Sequence, residues 1–348
     1  MSRITKRPIT IVTGFLGSGK TTLLRTLLVA PEAQDTAVLV NEFGEVGLDH
    51  HLLQRLDEQT ILLHGGCVCC TVRDDLVRTL TDLLNQDQRG TIPRLKRVVI
   101  ETTGLADPAP ILFTVMTDPM LQHHFCIENV ITTVDALNGS FHLDRHPESL
   151  KQVVSADELI VTKTDLAPPD TVAALATRLQ SINPTARLTT AVFGNVDPGR
   201  LLDPRATSPT AARHPDVPQP GVLAIPPDTP AARRHAGDTR SLALSFVQPL
   251  DWMAFSVWLS MLLHARGEDV LRVKGLLNVG AAGPVVLNGV QHIIHAPEHL
   301  EHWPSADQRS HLVFILRAID PHDIMNSLQA FQHLLGAQPY LDDTDLHL

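Results

Sequence analysis

Aromatic side chains are scarce in this chain: ten Phe, three Trp and one Tyr make up 4 % of 348 residues. So small a supply argues against an extended base-stacking platform for single-stranded nucleic acid. Basic residues are in the minority as well, 28 Lys and Arg against 38 Asp and Glu, for a formal charge of −10. No broad surface for tracking a phosphate backbone is expected from that balance, and no nucleic-acid partner. No apolar run approaches the roughly 20 residues that span a bilayer, so no membrane partner is expected either. Residues 1–8 hold no apolar signal core, which points to a cytoplasmic protein. Cysteine is rare too, yet three of the four, Cys67, Cys69 and Cys70, fall within four positions. A disulfide framework would spread them along the chain, whereas a cluster in a reducing compartment indicates metal or redox chemistry.

What is present is enough apolar material, 43 % of the residues, for two ordinary cores. Up to residue 197, β-branched runs at 9–13, 37–41, 60–63, 97–101, 129–135, 159–162 and 187–192 alternate with helical patterns at 20–29, 73–85, 108–117, 148–156 and 171–182. That alternation predicts an α/β domain, a mostly parallel sheet with helices on both faces, and places ligands outside the carboxyl ends of the strands. Residues 198–230 carry nine of the 25 prolines, a composition that predicts an extended linker over 198–240 with neither helix nor central strand. From 241 to 348 a smaller α+β domain is expected, with strands at 241–247, 271–279, 285–294 and 312–316 and helices at 252–265 and 321–335.

The motifs lie at the strand ends. Residues 14–21, Gly-Phe-Leu-Gly-Ser-Gly-Lys-Thr, complete the pattern G-x-x-x-x-G-K-[ST] directly after an apolar strand. The glycines let successive backbone N–H groups face a phosphate, Lys20 brings a charge for the β and γ oxygens, and the Thr21 hydroxyl can ligate Mg²⁺. Glu101-Thr102-Thr103-Gly104 ends a second strand, with an acid for the Mg²⁺ hydration shell and a glycine able to lie close to a γ-phosphate. Thr162-Lys163-Thr164-Asp165 approximates a base-reading N/T-K-x-D sequence, in which the Asp carboxylate accepts from N1–H and the exocyclic amine of guanine. Thr in place of the usual Asn removes one amide.

Asn41-Glu42-Phe43-Gly44-Glu45-Val46-Gly47 stands where a switch loop is expected and brings two carboxylates near the nucleotide. In Gly65-Gly66-Cys67-Val68-Cys69-Cys70, closely spaced thiolates suit a soft or borderline divalent ion. Three sulfurs leave a tetrahedral site incomplete, with Glu42, Glu45, His64, water or a partner to fill it, as a carrier requires. Buried small side chains or a redox pair at Cys69 and Cys70 are the other readings. His292, His295, His299 and His302 crowd into eleven residues with Glu298 and Glu301, but Pro297 and Pro304 bracket them. Solvated histidines are the default there, and an auxiliary metal site is the alternative.

In order, GFLGSGKTTLL, NEFGEVG, GGCVCCTVRDDL, ETTGLADP and TKTD resemble the CobW-like family of P-loop GTPases, metal-trafficking proteins and metallochaperones. The resemblance extends to 271–275 and 284–297. It implies that Gly14, Gly17, Ser18, Gly19, Lys20, Thr21 and Thr22 hold phosphates and Mg²⁺, and that Lys20, Thr21 and Glu101 serve catalysis. It also implies that Gly104 senses the γ-phosphate, that Lys163 and Asp165 read guanine, and that Cys67, Cys69 and Cys70 bind metal with Glu42 and Glu45 in reach. The expected function is slow GTP hydrolysis coupled to delivery of Zn²⁺, or Co²⁺, to a client metalloprotein, with a nucleotide-dependent homodimer by analogy. A non-catalytic zinc buffer, a cobalt-handling factor for cobalamin synthesis, an ATP-dependent kinase-like enzyme and a thiol redox switch are the rivals. The His-rich tract common in the family is absent here: only His214 and His235 fall between the domains.

Overall fold

Apolar runs such as Arg97-Val98-Val99-Ile100 do not alternate with polar residues, and strands of that kind must be covered on both faces. The computed structural model describes residues 6–42, 60–64, 69–202 and 239–335, with 41–42, 60–64, 69–72 and 332–335 described by their backbone. Its first unit is a sheet of seven strands in the order β3-β2-β4-β1-β5-β6-β7, all paired in parallel. The strands are β1 (Arg7–Gly14), β2 (Thr36–Glu42), β3 (Thr60–His64), β4 (Arg97–Glu101), β5 (Phe125–Asp135), β6 (Glu158–Thr162) and β7 (Arg187–Ala191). β1 is central. The chain leaves it past β4 to reach β2 and later crosses to β5 on its other side, so its carboxyl end sits at a topological switch point.

Helix α1 (Lys20–Val29) buries Leu23, Leu24 and Leu27 against Val12, Val38, Val40, Val99, Ile131 and Ile160. Each of these leucines is fully buried, which contributes about 1.5–3 kcal/mol apiece. Ile11, paired with Ile100 and Val130, faces the other side and is equally buried. The remaining helices of this unit are α2 (Cys69–Arg89), α3 (Ala109–Thr117), α4 (Pro119–His124), α5 (Gly139–Arg145), α6 (Pro147–Ser155), α7 (Pro169–Ile182) and α8 (Pro198–Leu202).

Two expectations need correction here. Helix α2 begins at Cys69, not at residue 73, so two of the clustered cysteines belong to its first turn. The proline-rich segment starts with helix α8 instead of an extended stretch. Asp197 accepts hydrogen bonds from the backbone N–H of Gly199 (3.0 Å) and Arg200 (3.4 Å), and proline at the first helical position loses nothing by lacking an N–H. Leu201 and Leu202 then bury themselves beside α1.

The second unit is an antiparallel sheet in the order β11-β10-β9-β13-β8, with β12 paired to β10. Its strands are β8 (Thr239–Phe246), β9 (Val270–Leu277), β10 (Val285–Val290), β11 (Ile293–Ile294), β12 (Glu298–His299) and β13 (Ser310–Arg317). Burial alternates along β10 and the first half of β13, the mark of a sheet covered on one face. Helices α9 (Trp252–Arg266) and α10 (Pro321–Leu335) supply the cover. Phe255, Trp258, Leu263, Ile324 and Leu328 pack with Val273, Leu287, Phe314 and Leu316. The Trp258 indole N–H donates to Ser327 Oγ at 3.1 Å, tying α9 to α10. The single strand expected over 285–294 is a hairpin, turned at Gln291, whose φ of 53° is left-handed. Apolar residues on either side of Gln291 and His292 made the two strands read as one.

Candidate functional site

The phosphate loop is shaped by three glycines with left-handed φ: Gly14 (139°), Gly17 (70°) and Gly19 (93°). At Gly14 the requirement is also steric, because a Cβ would lie 2.4 Å from the Thr133 carbonyl oxygen. Gly19 caps α1 and its carbonyl accepts from Leu23 N–H at 2.9 Å, so the loop feeds directly into the positive end of a helix. The buried Lys20 ammonium turns back over the loop and donates to the carbonyls of Gly14 (3.0 Å) and Phe15 (3.1 Å). Ser18 Oγ is 2.6 Å from Thr133 Oγ1, which fastens the loop to β5.

Next to the loop, the Thr21 hydroxyl donates to Oε1 of the buried Glu101 at 2.9 Å. A hydroxyl and a carboxylate side by side form an all-oxygen pair of the type hard divalent cations take, so these residues fit Mg²⁺. Gly104 lies against the loop itself. A Cβ there would meet the Leu16 backbone N at 2.6 Å and Cα at 2.7 Å. Gln152 donates to the Gly104 carbonyl at 3.1 Å and to that of Ala106 at 3.0 Å, fixing the segment from below.

On the other side of the loop, Thr162 Oγ1 donates to the Ser18 carbonyl at 2.7 Å. A threonine at this position therefore makes its own tie to the phosphate loop. Lys163 has a left-handed φ of 57°, and its Nζ donates to Asp135 Oδ2 at 2.7 Å. Burial pushes the Asp135 carboxyl up, but the Lys163 ammonium, the Leu137 N–H and the Asn138 amide outweigh it, leaving it below its ordinary value. Asp165 is exposed.

Asp135 escaped the sequence reading, although its place at the end of an apolar strand, like that of Glu101, was the available signal. Also missed were His142 and His146, whose rings stand 4.3 and 4.5 Å from that of Phe15 and cover the second residue of the loop. Burial lowers the pKa of His142, opposed by the charge of Asp135. Nothing in the spacing of these two histidines points to the loop.

The structure reaches the cysteine motif only in part. Cys67 and Glu45 lie outside the described residues, as do the side chains of Glu42, His64, Cys69 and Cys70. The described backbone shows what flanks the motif. Glu42 and His64 are paired at the carboxyl ends of β2 and β3, and Cys69 and Cys70 open α2 five residues later. β2 and β3, which precede the acidic segment and the cysteines in sequence, thus end at the same end of the sheet as the phosphate loop. Among the described residues no three His, Cys, Asp or Glu side chains are grouped to hold a metal. That covers the C-terminal histidines, of which His299 pairs with Val285 in a short strand. No helix among the described residues is long and apolar enough to cross a membrane.

Comparison with known proteins agrees with this geometry. Residues 8–190 match the family model "CobW/HypB/UreG, nucleotide-binding domain", and residues 239–332 match "Cobalamin synthesis protein cobW C-terminal domain". The zinc chaperone YjiA of Escherichia coli is 32 % identical over 312 residues, covering 88 % of this chain and 93 % of the relative. The zinc-regulated GTPase metalloprotein activator 1 of Schizosaccharomyces pombe is 30 % identical over 316 residues, covering 82 % and 75 %. The crystal structure of Zn(II)-bound YjiA GTPase from E. coli superposes with a TM-score of 0.70 at 28 % identity, over 94 % of this chain and 99 % of that one. This chain belongs to the CobW/HypB/UreG family of metal-trafficking P-loop GTPases.

Proposed function

We propose that the protein is a slow GTPase that binds a divalent metal, Zn²⁺ or Co²⁺, at Cys67, Cys69 and Cys70 and passes it to a client metalloprotein when GTP is hydrolysed. Glu42 and Glu45 complete the metal's ligand set in this reading. The observation that supports this reading is the pairing of Glu42 with His64, which ends β2 and β3 at the same end of the sheet as the phosphate loop. Relatives named zinc chaperones favour zinc over cobalt. The reading has a catalytic domain that closes with α8, a linker between α8 and β8, and a smaller domain from β8 onward, and it puts the protein in the cytoplasm, where thiols stay reduced.

In the mechanism, Gly14, Gly17, Ser18, Gly19 and Thr22 cradle the phosphates through backbone N–H groups and the helix terminus. Lys20 leaves the carbonyls of Gly14 and Phe15 for the β and γ oxygens and neutralises charge as the bond breaks. Thr21 and Glu101 hold Mg²⁺, which supplies further charge neutralisation when bound. Gly104 lets the strand-end segment approach the γ-phosphate, and Lys163 and Asp165 select guanine. No arginine finger and no residue that orients the attacking water is assigned, so turnover without a partner is slow. A nucleotide-dependent homodimer belongs to the reading by family analogy.

The test is single-turnover GTP hydrolysis alongside transfer of Zn²⁺ to a chelating acceptor, for the wild type and Lys20→Ala. Loss of both activities together is expected. Metal release that persists in Lys20→Ala would leave a nucleotide-stabilised zinc buffer. Metal analysis with a non-hydrolysable GTP analogue, repeated on serine variants of Cys67, Cys69 and Cys70, checks the ligand set. Equal metal affinity with GTP, with GDP and without nucleotide would overturn the coupling.

A further inference from the structure

Phe193 is the most exposed large apolar side chain among the described residues, 80 % accessible in a chain poor in aromatics. Its backbone is left-handed, with φ 48°, a conformation that a bulky residue adopts only where the surroundings impose it. The imposing element is the next residue. Gly194, at φ 72°, is pressed so closely on the start of α1 that a Cβ would lie 2.9 Å from the Thr22 carbonyl oxygen and 3.0 Å from Leu23 Cα. Asn195 N–H donates to the Val192 carbonyl at 2.9 Å and closes the turn. The ring is thus held in solvent by a loop anchored on the helix that begins the phosphate site.

The neighbourhood indicates what the ring is for. β7 runs beside β6, with Ala191 opposite Thr162, so Phe193 leaves the sheet one strand away from Lys163 and Asp165 and at the same end. The phosphate loop follows β1, two strands from β6, a separation of roughly 10 Å. A nucleotide with its phosphates on the loop and its base edge at Asp165 lays its ring along this end of the sheet. Lys163 also has a left-handed φ, and its ammonium is tied to Asp135, so its aliphatic stem is fixed at the far end.

We propose that Phe193 is the stacking platform for the purine ring of the bound nucleotide, with the Lys163 stem on the opposite face and Asp165 at the ring edge. This rests on the GTP-binding reading above and adds to it a residue that sets affinity for the base without touching the phosphates.

The test is calorimetric titration of the full chain with GDP and, separately, with inorganic tripolyphosphate, using the wild type, Phe193→Ala and Phe193→Trp. Phe193→Ala should weaken GDP binding by roughly 5- to 150-fold, the span of a base–aromatic stack, with tripolyphosphate held within about twofold. Phe193→Trp should restore GDP binding, and its indole emission should change with GDP and not with tripolyphosphate. GDP affinity unchanged in Phe193→Ala overturns the proposal. So does an equal loss for both ligands, which would make Phe193 a prop for α1. A wild type that binds tripolyphosphate and shows no gain from the nucleoside overturns the GTP-binding reading itself, and the platform with it.

Discussion

Replacing Gly104 by alanine tests the contact between the strand-end glycine and the phosphate loop. Gly104 does not have a left-handed φ, so alanine meets no backbone strain of its own and the effect is purely one of space. The added methyl would sit 2.6 Å from Leu16 N, 2.7 Å from Leu16 Cα and 2.6 Å from Leu16 Cδ2. The side-chain contact can be relieved by rotation, but the two backbone contacts cannot. Ordinary contact begins near 3.4 Å, so the loop must retreat by about 0.8 Å. Overpacking of this kind costs about 1–3 kcal/mol, and an ångström of misplacement at a reacting group costs on the order of 100-fold in rate.

Denaturant unfolding should therefore show a loss in that range, and single-turnover GTP hydrolysis a fall of roughly two orders of magnitude. Leu16→Ala added to Gly104→Ala removes only the Cδ2 contact and should rescue little. Gly104→Ala with hydrolysis within a fewfold of wild type, or complete rescue by Leu16→Ala, would refute the argument from backbone contact.

Three further outcomes are expected. Lys163→Met removes the partner of Asp135, whose side chain is 3 % exposed, and should lower stability by about 1–3 kcal/mol in denaturant unfolding; an unchanged midpoint would mean the pair contributes nothing. The folded-state pKa of His142 is lowered by burial, so the unfolded chain takes the proton first. Its contribution is full above about pH 6.5 and is lost as pH falls toward the depressed folded value, while Asp135, His146 and Lys163 face the same ring. Thermal unfolding of His142→Phe should accordingly fall less steeply between pH 7.5 and 5.5 than that of wild type, and parallel curves would contradict this. In the second unit, Ser327→Ala strands the indole N–H of Trp258 and should cost about 1–2 kcal/mol of unfolding free energy, detectable as a lower denaturant midpoint.

The parallel sheet was legible because its strands are short, β-branched and apolar on both faces, and because the phosphate loop follows the first of them. Glu101, Gly104 and Lys163 were singled out by motif and strand end alone, and Glu101 and Gly104 lie against the phosphate loop. Asp135 obeys the same rule but carries no motif around it, and the rings over Phe15 meet it only through tertiary packing. The turn at Gln291 was hidden because no glycine, proline or asparagine marks it at the left-handed position. Helix α8 did carry a local signal, Asp197-Pro198, which the proline content of the following segment obscured. The start of α2 at Cys69 follows no strong capping residue, and the clustered cysteines read as a metal motif ahead of the helix instead of as its first turn.

The order of the strands has a consequence for what information can pass across the molecule. Thr162-Lys163-Thr164-Asp165 follows β6, whereas Glu42 and His64 close β2 and β3, with β5, β1 and β4 lying between. Four interstrand steps from β6 to β2 amount to about 19 Å, too far for a purine to touch both. In the proposed reading only the terminal phosphate, bound where β1 and β4 end, would stand between the two. A metal held there as proposed would register how many phosphates are present and stay blind to which base carries them. An Asp165 variant re-engineered to accept another purine triphosphate should consequently keep its metal response intact.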